Sequence, residues 1–168
     1  MRAVVQLVKS ASVSVSQKLV SEIGPGLLVL LGIKDDDAHP LSGSPPFVRA
    51  QDRLRSGQAR SSGGYIIKKI INLRIFPDEN GNMNKSVQDV GGEILLVSQF
   101  TLYGDCRKGN RPSFICAMPP EKAKNFYKNF ADCLKSEYPK VKEGIFGAYM
   151  QVALVNDGPV TILIDSEK

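Results

Sequence analysis

The sequence predicts an α/β protein in which a mixed β-sheet packs against helices, and three observations predict that class. Two segments, "GLLVLLGI" and "EILLVSQFTLY", are almost continuously apolar, as strands buried on both faces are. The segment "PPEKAKNFYKNFADCLKSEY" places apolar side chains at helical spacing. The elements follow in the order β-β-β, helix, β, helix, β-β, and 168 residues fit a single domain, 1–168.

Strands are expected at both ends of the chain. "RAVVQLV", "ASVSV" and "GLLVLLGI" are short and β-branched or apolar, and turn residues such as "GPG" separate them. Near the other end, "YMQVALV" and "VTILI" flank "NDGP". Because Gly158 and Pro159 are turn residues, the sequence predicts a hairpin that bends at Asn156 and Asp157.

Two helices and one further hairpin are expected between these strands. "YIIKKIINL" gathers its isoleucines on one side of a short helix, and "DENGNMN" carries the Asn-Gly hairpin signal. In the longer helix Pro120 suits the first turn and Glu121 suits the positive N-terminal end. Its apolar positions are Ala123, Phe126, Phe130 and Leu134.

The composition changes over residues 35–64, which are rich in Ser, Gly, Pro and Arg. Such a segment adds little to a core, so we interpret it as a flexible surface insertion with a short helical piece near "FVRAQDRLR". Two readings stay open for its arginines: an arm that touches nucleic acid, or an ordinary solvated loop.

Composition and charge set limits on the class of protein. No apolar run is long enough to span a bilayer and the N-terminal segment lacks a signal-peptide pattern, so a cytoplasmic protein without a membrane partner is expected. Three cysteines, an odd number, suit free thiols, and the single histidine, His39, argues against a zinc site. The net charge of +5 is mild evidence for a polyanionic partner.

Several catalytic patterns are missing from the sequence. Ser98 is not flanked by glycines and His39 is a poor candidate for its base, which disfavours a Ser-His-Asp hydrolase. Neither a P-loop nor a strand-linked GxGxxG motif occurs. What remains is the polar group Ser98, Gln99 and Thr101 at the end of a buried strand, where side chains and backbone donors can converge on a ligand.

Two motifs, read together, are specific. "VSQFTLYGDCRKGNRPSF" and "VNDGPVTILID", with "GLLVLLGI" ahead of them, closely resemble the D-aminoacyl-tRNA deacylases. The resemblance covers the chain except the region from Lys34 to Gly64. It implies mostly antiparallel sheets in a barrel-like core with two main helices packed against it, a homodimer, a tRNA substrate, and neither metal nor cofactor.

The resemblance also implies the reaction and its residues. The reaction is hydrolysis of the ester that joins a D-amino acid to tRNA, with Ser98, Gln99, Phe100 and Thr101 as the catalytic segment. Backbone N–H groups near Phe100 would stabilise the oxyanion. Thr101 as a covalent nucleophile is the alternative, which the absence of a visible base disfavours.

Selectivity is expected from the Gly158-Pro159 dipeptide. In the family this bond is cis and reaches into the partner's active site, where its carbonyls exclude L-side chains. Such a filter cannot exclude glycine, so cleavage of glycyl-tRNA, including glycine mischarged on tRNA-Ala, is also expected. Arg107, Lys108 and Arg111 follow the catalytic segment and are candidates for contact with tRNA phosphates or for ordinary solvated charge.

One position departs from the family pattern. Leu7 stands where the resemblance leads us to expect an arginine that helps to hold the Gly-Pro orientation. Two alternatives therefore remain beside the D-specific enzyme. One is a relaxed deacylase of L-alanyl-tRNA, and the other is a non-catalytic homologue that binds nucleic acid.

Overall fold

The computed structural model describes residues 1–38 and 62–167. Its main sheet is built around one long strand, β1 (Arg2–Val15), which pairs antiparallel with three other strands. These are β2 (Lys18–Ile23), β3 (Gly26–Gly32) and β8 (Met150–Asp165). Parallel pairings extend the sheet from β3 to β6 (Glu93–Ser98) and from β6 to β7 (Val141–Glu143). The predicted mixed sheet, mostly antiparallel among the described strands, is confirmed.

The first strands differ from the prediction in their boundaries. "RAVVQLV" and "ASVSV" form one strand, because the residues between them continue to pair with β8, as Ser10 does with Val155. The second strand is "KLVSEI", which sequence reasoning missed. Its side chains are largely exposed, so it lacks the apolar pattern on which the prediction relied.

The central strands β3 and β6 are buried on both faces, as "GLLVLLGI" predicts. On one face Leu27 and Leu96 join the larger hydrophobic core, which lies between the sheet and the helices. On the other face Leu28 and Leu95 join a second core with Val13 of β1. Both cores use alternate residues of the same strands, as the period of two in a pleated strand requires.

The sheet curls until its ends meet and forms a nearly closed barrel. The hydroxyl of Ser21 in β2 donates to the carbonyl of Glu143 in β7 at 2.9 Å. The ammonium of Lys142 donates to the carbonyl of Glu22 at 2.7 Å. These bonds join the strands at opposite ends of the sheet order, so the barrel-like core is confirmed.

The two predicted main helices are present and cover one face of the sheet. They are α1 (Ser62–Asn72) and α3 (Pro120–Glu137), with a one-turn helix, α2 (Val87–Val90), between them. All four predicted apolar positions of α3 are buried, as are the four isoleucines of α1. The Asn-Gly segment forms the expected hairpin between β4 (Phe76–Pro77) and β5 (Met83–Lys85).

The predicted hairpin at Asn156 and Asp157 is wrong. Both halves belong to β8, which runs antiparallel to β1 from Met150 to Asp165. The pairing is interrupted at one place: Val8 pairs with Asn156 and Gln6 with Thr161, so residues 157 to 160, four in all, lie opposite Leu7 alone. We call these four residues the β8 bulge. Gly and Pro are common in bulges as well as in turns. Pro has no backbone N–H to donate to the hydrogen-bond ladder, and Gly adopts backbone conformations that a bulge requires.

Both ends of the region predicted as a surface insertion, 35–64, belong to regular elements. Residues Asp35–Ala38 form a 3-10 turn, in which Asp37 accepts from the backbone N–H of Lys34 at 2.7 Å. Ser62 to Gly64 already belong to α1, where Gly63 is buried. The helical piece near "FVRAQDRLR" and His39 lie outside the described residues. No helix within 1–38 and 62–167 combines the length and apolar character needed to cross a membrane.

Candidate active site

The polar segment predicted at the end of β6 lies where the strand turns into a 3-10 helix, Phe100–Tyr103. Gln99 leaves the strand, and its backbone N–H still donates to the carbonyl of Leu31 in β3 at 2.8 Å. A β-carbon on Gly32 would lie 2.9 Å from Cβ of Leu102, so the 3-10 helix packs directly on the backbone of β3. The segment is therefore fixed by the central strands of the barrel.

A cavity of about 670 Å³ opens beside this segment. Ser98, Gln99 and Phe100 contribute to its wall, whereas Thr101 does not. None of the residues that line it carries an ionisable side chain. The other lining residues are Leu31, Ile33, Phe114, Ile115, Ala117, Met118, Pro119, Pro120, Ala123, Phe146 and Gly147. The cavity thus combines an apolar wall with a few polar groups at one end, which is typical of small-ligand sites.

An aromatic pair lies at the edge of the cavity. The rings of Phe100 and Phe114 meet edge to face, with centroids 5.1 Å apart and an interplanar angle of 69°. Phe100 is 58% exposed and the neighbouring Ile115 is 90% exposed, which is unusual for such large apolar side chains. These side chains leave apolar surface available for a ligand.

Polar groups of the segment are arranged around the start of the 3-10 helix. The amide of Gln99 donates to the hydroxyl of Thr101, which links the two side chains. The first N–H groups of a helix have no partner within it. Among residues 1–38 and 62–167, no backbone carbonyl accepts from the N–H groups of Phe100 or Thr101. Two backbone donors are therefore available near the cavity.

The basic loop after the 3-10 helix is exposed, and its charges differ in their partners. The guanidinium of Arg107 donates to both carboxylate oxygens of Asp105, at 2.9 and 2.7 Å. These bonds, with that from the Arg107 backbone N–H, lower the pKa of Asp105 to about 2. Lys108 and Arg111 lie farther along the same exposed loop. The sequence analysis treated Arg107, Lys108 and Arg111 alike, but the positive charge of Arg107 is partly neutralised by Asp105.

The Gly158-Pro159 dipeptide lies within the β8 bulge and is exposed. The peptide bond is cis, and Gly158 has φ of +110°. Side-chain hydrogen bonds join the two residues that flank the bulge. The hydroxyl of Thr161 accepts from the amide of Asn156 at 3.2 Å and from the amide of Gln6 at 3.4 Å. The dipeptide is absent from the wall of the cavity, so one chain alone does not bring the two motifs together.

Leu7 lies opposite the β8 bulge and is buried, 6% exposed. It belongs to the larger core, as does Val160 of the bulge. An apolar side chain at this position packs beneath the bulge instead of offering it a charged hydrogen-bond donor. Polar contacts at the bulge come instead from the hydrogen bonds to Thr161 and from the exposed ion pair of Lys9 with Asp157, at 3.6 Å.

Sequence reasoning missed most of the cavity wall. Phe114 ends the motif that begins before Ser98 but was not assigned to the site, and Met118 and Phe146 come from loops that carry no recognisable motif. The signal that could have found Phe114 and Met118 is the apolar "FICAMPP" after an otherwise basic, polar loop. In the described part of the chain, no three His, Cys, Asp or Glu side chains are grouped as metal ligands.

Comparison with known proteins identifies relatives along the whole chain. The model of the family described as D-Tyr-tRNA(Tyr) deacylase matches residues 4–41 and 54–165. A D-aminoacyl-tRNA deacylase of Thermosipho africanus is 52% identical over 169 residues, covering 100% of this chain and 99% of the relative. That of Clostridium novyi is 50% identical over 168 residues, with the same coverage. Residues 42–53, which the family model leaves out, fall inside the predicted insertion.

Solved structures share the fold, and two of them differ widely in sequence identity. A chain described as c-Myc DNA Unwinding Element Binding Protein is 45% identical, with a TM-score of 0.77 and 98% of each chain covered. A chain described as a "probable eukaryotic D-amino acid tRNA deacylase" has a TM-score of 0.72 at 18% identity, with 97% of each chain covered. The second likeness concerns the fold alone, and both agree with the barrel-like α/β architecture.

Proposed function

Because this chain belongs to the D-Tyr-tRNA(Tyr) deacylase family, we propose that it hydrolyses the ester joining a D-amino acid to the terminal adenosine of a tRNA. The observation that carries the proposal is the juxtaposition of Ser98, Gln99 and Phe100 with an apolar cavity. An aminoacyl side chain fits the apolar wall, and the adenosine fits the polar end. Charged tRNA is cytoplasmic, and we expect the enzyme there.

The chemistry requires little from protein side chains. The aminoacyl ester is activated, and the adjacent ribose hydroxyl of the substrate can assist the attack of water. The N–H groups of Phe100 and Thr101 would donate to the oxyanion as it forms, while Ser98 and Gln99 orient the ester and ribose. A cavity wall without ionisable side chains supports this route over a protein nucleophile with its own base.

Chiral selection is assigned to Gly158 and Pro159 of a partner subunit. The exposure of the dipeptide, and its absence from the cavity of its own chain, support delivery across a twofold homodimer. Beside the bulge, Val155 and Leu163 of β8 are 54% and 59% exposed and offer apolar surface for a second copy. Backbone carbonyls of the dipeptide would then occupy the space into which an L-side chain projects.

The same geometry predicts which other substrates pass the filter. Glycine has no side chain to reject, so glycyl-tRNA, including glycine mischarged on tRNA-Ala, should be cleaved. Leu7 offers the β8 bulge no charged donor, and a loosened bulge would admit small L-residues such as alanine. Lys108 and Arg111 are the candidates for acceptor-stem phosphates, while Arg107 is partly neutralised by Asp105.

Rates on matched aminoacyl-tRNAs test the proposal. Purified protein should release D-tyrosine from D-tyrosyl-tRNA and glycine from glycyl-tRNA, and should leave L-tyrosyl-tRNA intact. Release of L-alanine together with D-tyrosine would establish a relaxed filter and overturn strict D-selectivity. No release from any of these substrates would contradict the deacylase function.

A second candidate function rests on one relative. The chain described as c-Myc DNA Unwinding Element Binding Protein is 45% identical over nearly the full length, and its name refers to DNA binding. We therefore consider a role in nucleic-acid binding through the exposed basic loop. Fluorescence anisotropy with duplex DNA, single-stranded DNA and tRNA would test it. Preference for DNA over tRNA, without ester hydrolysis, would favour this second function.

A further inference from the structure

Arg2 contacts the back of the 3-10 helix that carries Phe100 and Thr101. Its guanidinium donates through Nη1 to the carbonyl of Leu102 at 3.0 Å. The same guanidinium lies over the ring of Tyr103, 4.8 Å from the centroid. Leu102 and Tyr103 are the last two residues of that helix, so one side chain holds its end by a charge-assisted hydrogen bond and by a cation–π contact.

Arg2 is itself held in place from β8. Its Nε donates to Oδ2 of Asp165 at 3.1 Å, and the two residues are directly paired across the β1–β8 ladder. The carboxylate of Asp165 is only 7% exposed, whereas the side chain of Arg2 is 37% exposed. A buried carboxylate thus fixes the direction of the guanidinium and leaves its Nη1 free to reach Leu102.

Contacts with β3 and with Arg2 hold the 3-10 helix. Gln99, just before the helix, is bonded to Leu31 of β3, and the side chain of Leu102 packs on Gly32. Arg2 supplies the contact at its end. A short helix held at one end only can tilt, and a tilt changes the directions of its first N–H groups. Displacements of about 1 Å in an active site can reduce rates about 10²-fold.

We propose that Arg2 is a positioning residue of the active site, which acts through the Leu102 carbonyl to orient the N–H groups of Phe100 and Thr101. The inference rests on the proposed function. Arg2 does not line the cavity and touches no reacting atom in this arrangement. Asp165 is also a positioning residue, because its carboxylate orients the guanidinium of Arg2.

The variant that tests the proposal is Arg2→Lys in the full chain. Lysine keeps the charge but cannot donate to Asp165 and Leu102 at once through a planar fork. Arg74→Lys is the matched control, since the guanidinium of Arg74 also donates to a backbone carbonyl, in its case from Nε to Asn84 at 2.7 Å, beside the β4–β5 hairpin. Asp165→Asn, which keeps an acceptor for Arg2, is the conservative second variant.

Two measurements are made on each protein: kcat and KM with D-tyrosyl-tRNA, and hydrogen exchange at the amides of Leu102 and Gly104. Those amides donate to Gln99 and Thr101 and report on the 3-10 helix directly. For Arg2→Lys we expect about tenfold lower kcat, similar KM and about tenfold faster exchange, in keeping with loss of a hydrogen bond from a charged group. Arg74→Lys should match the wild type, and Asp165→Asn should lie between them.

The outcomes separate the positioning role from the proposed function. Unchanged exchange in both Arg2→Lys and Asp165→Asn would overturn the proposal, as would faster exchange with wild-type kcat. A fall in kcat that merely follows a loss of folded protein, seen equally in α3, would also overturn it. If the wild type hydrolyses no ester, the proposed function fails on its own, and exchange at Leu102 still shows whether Arg2 holds the helix.

Discussion

A β-carbon placed on Gly158 would lie 2.7 Å from Cγ2 of Val160 and 3.1 Å from its backbone nitrogen. Val160 cannot move aside easily, because it is buried in the larger core beneath the β8 bulge. Gly158 also has φ of +110°, a conformation that residues with a β-carbon rarely adopt. The shape of the bulge therefore requires glycine at this position.

Gly158→Ala should weaken both the bulge and the selection of substrate. We expect a loss of about 1–3 kcal/mol in the free energy of unfolding, the usual cost of strained backbone. The rate ratio between D- and L-tyrosyl-tRNA should fall, because the displaced carbonyls no longer exclude the L-side chain. Gly81→Ala is the control: its φ is +80°, with open space around the position. A D/L ratio unchanged by Gly158→Ala would refute the assigned filter.

The hydroxyl of Thr101 accepts a hydrogen bond from Gln99, and its removal distinguishes two mechanisms. If Thr101 orients its neighbour, Thr101→Ala should lower kcat about tenfold, as loss of one hydrogen bond does. If Thr101 were a covalent nucleophile, the loss would be on the order of 10⁶-fold. Rapid-quench measurement of the first turnover decides between them, since an acyl-enzyme burst appears only in the second case.

Neutralising exposed cations of the basic loop should weaken tRNA binding unequally. Lys108→Gln or Arg111→Gln should each reduce the slope of log K against log salt by about one, as for one lost phosphate contact. Arg107→Gln should have a smaller effect, because the guanidinium is already bonded to Asp105. Lys68→Gln, on the exposed face of α1, is the control. Equal slopes for all four variants would exclude this loop from the tRNA interface.

The carboxylate of Glu93 joins β6 to two neighbouring segments and should make stability depend on pH. It accepts from Lys142, at 2.9 Å, and from the backbone N–H of Gly24, at 2.8 Å, and these bonds lower its pKa. A lowered folded-state pKa stabilises the protein above the unfolded-state value, and this contribution disappears as pH falls through the folded-state value. Glu93→Gln should therefore reduce the melting temperature at pH 7, with a difference that shrinks in acid. Glu137→Gln, at the exposed end of α3, is the control substitution.

The elements that were predicted best are those whose own residues form a strong local pattern of apolar or turn residues. In α3 the apolar residues recur at helical spacing, and the structure buries all of them. The β4–β5 hairpin carries its own turn residues. The β8 bulge was mistaken for a hairpin because Gly158 and Pro159 have the same local preferences in both. Only the partner strand distinguishes the two, and β1 lies about 150 residues away in sequence.

The candidate site was likewise predictable only where its residues form a local sequence pattern. Ser98 to Thr101 could be placed at the end of a buried strand, because the polar cluster directly follows an apolar run. Phe114 was not assigned to the site although it follows in the same motif, and Phe146 could not be placed, since its loop meets the strand only in three dimensions. Arg2 was likewise read as an ordinary member of an N-terminal strand. Its contact with Leu102 spans 100 positions and has no local signal.

The pairing of β1 with β8 also has a consequence for synthesis on the ribosome. β1 emerges early and β8 late, yet Arg2 must pair with Asp165 along one side of the same ladder. Until β8 has left the ribosome, that edge of β1 offers unpaired backbone groups to other nascent chains. Contacts of such long range also form slowly. The β1–β8 ladder therefore forms only after Asp165 has been synthesised, and an enzyme proposed to correct aminoacyl-tRNA would itself be vulnerable to translational pauses between these two strands.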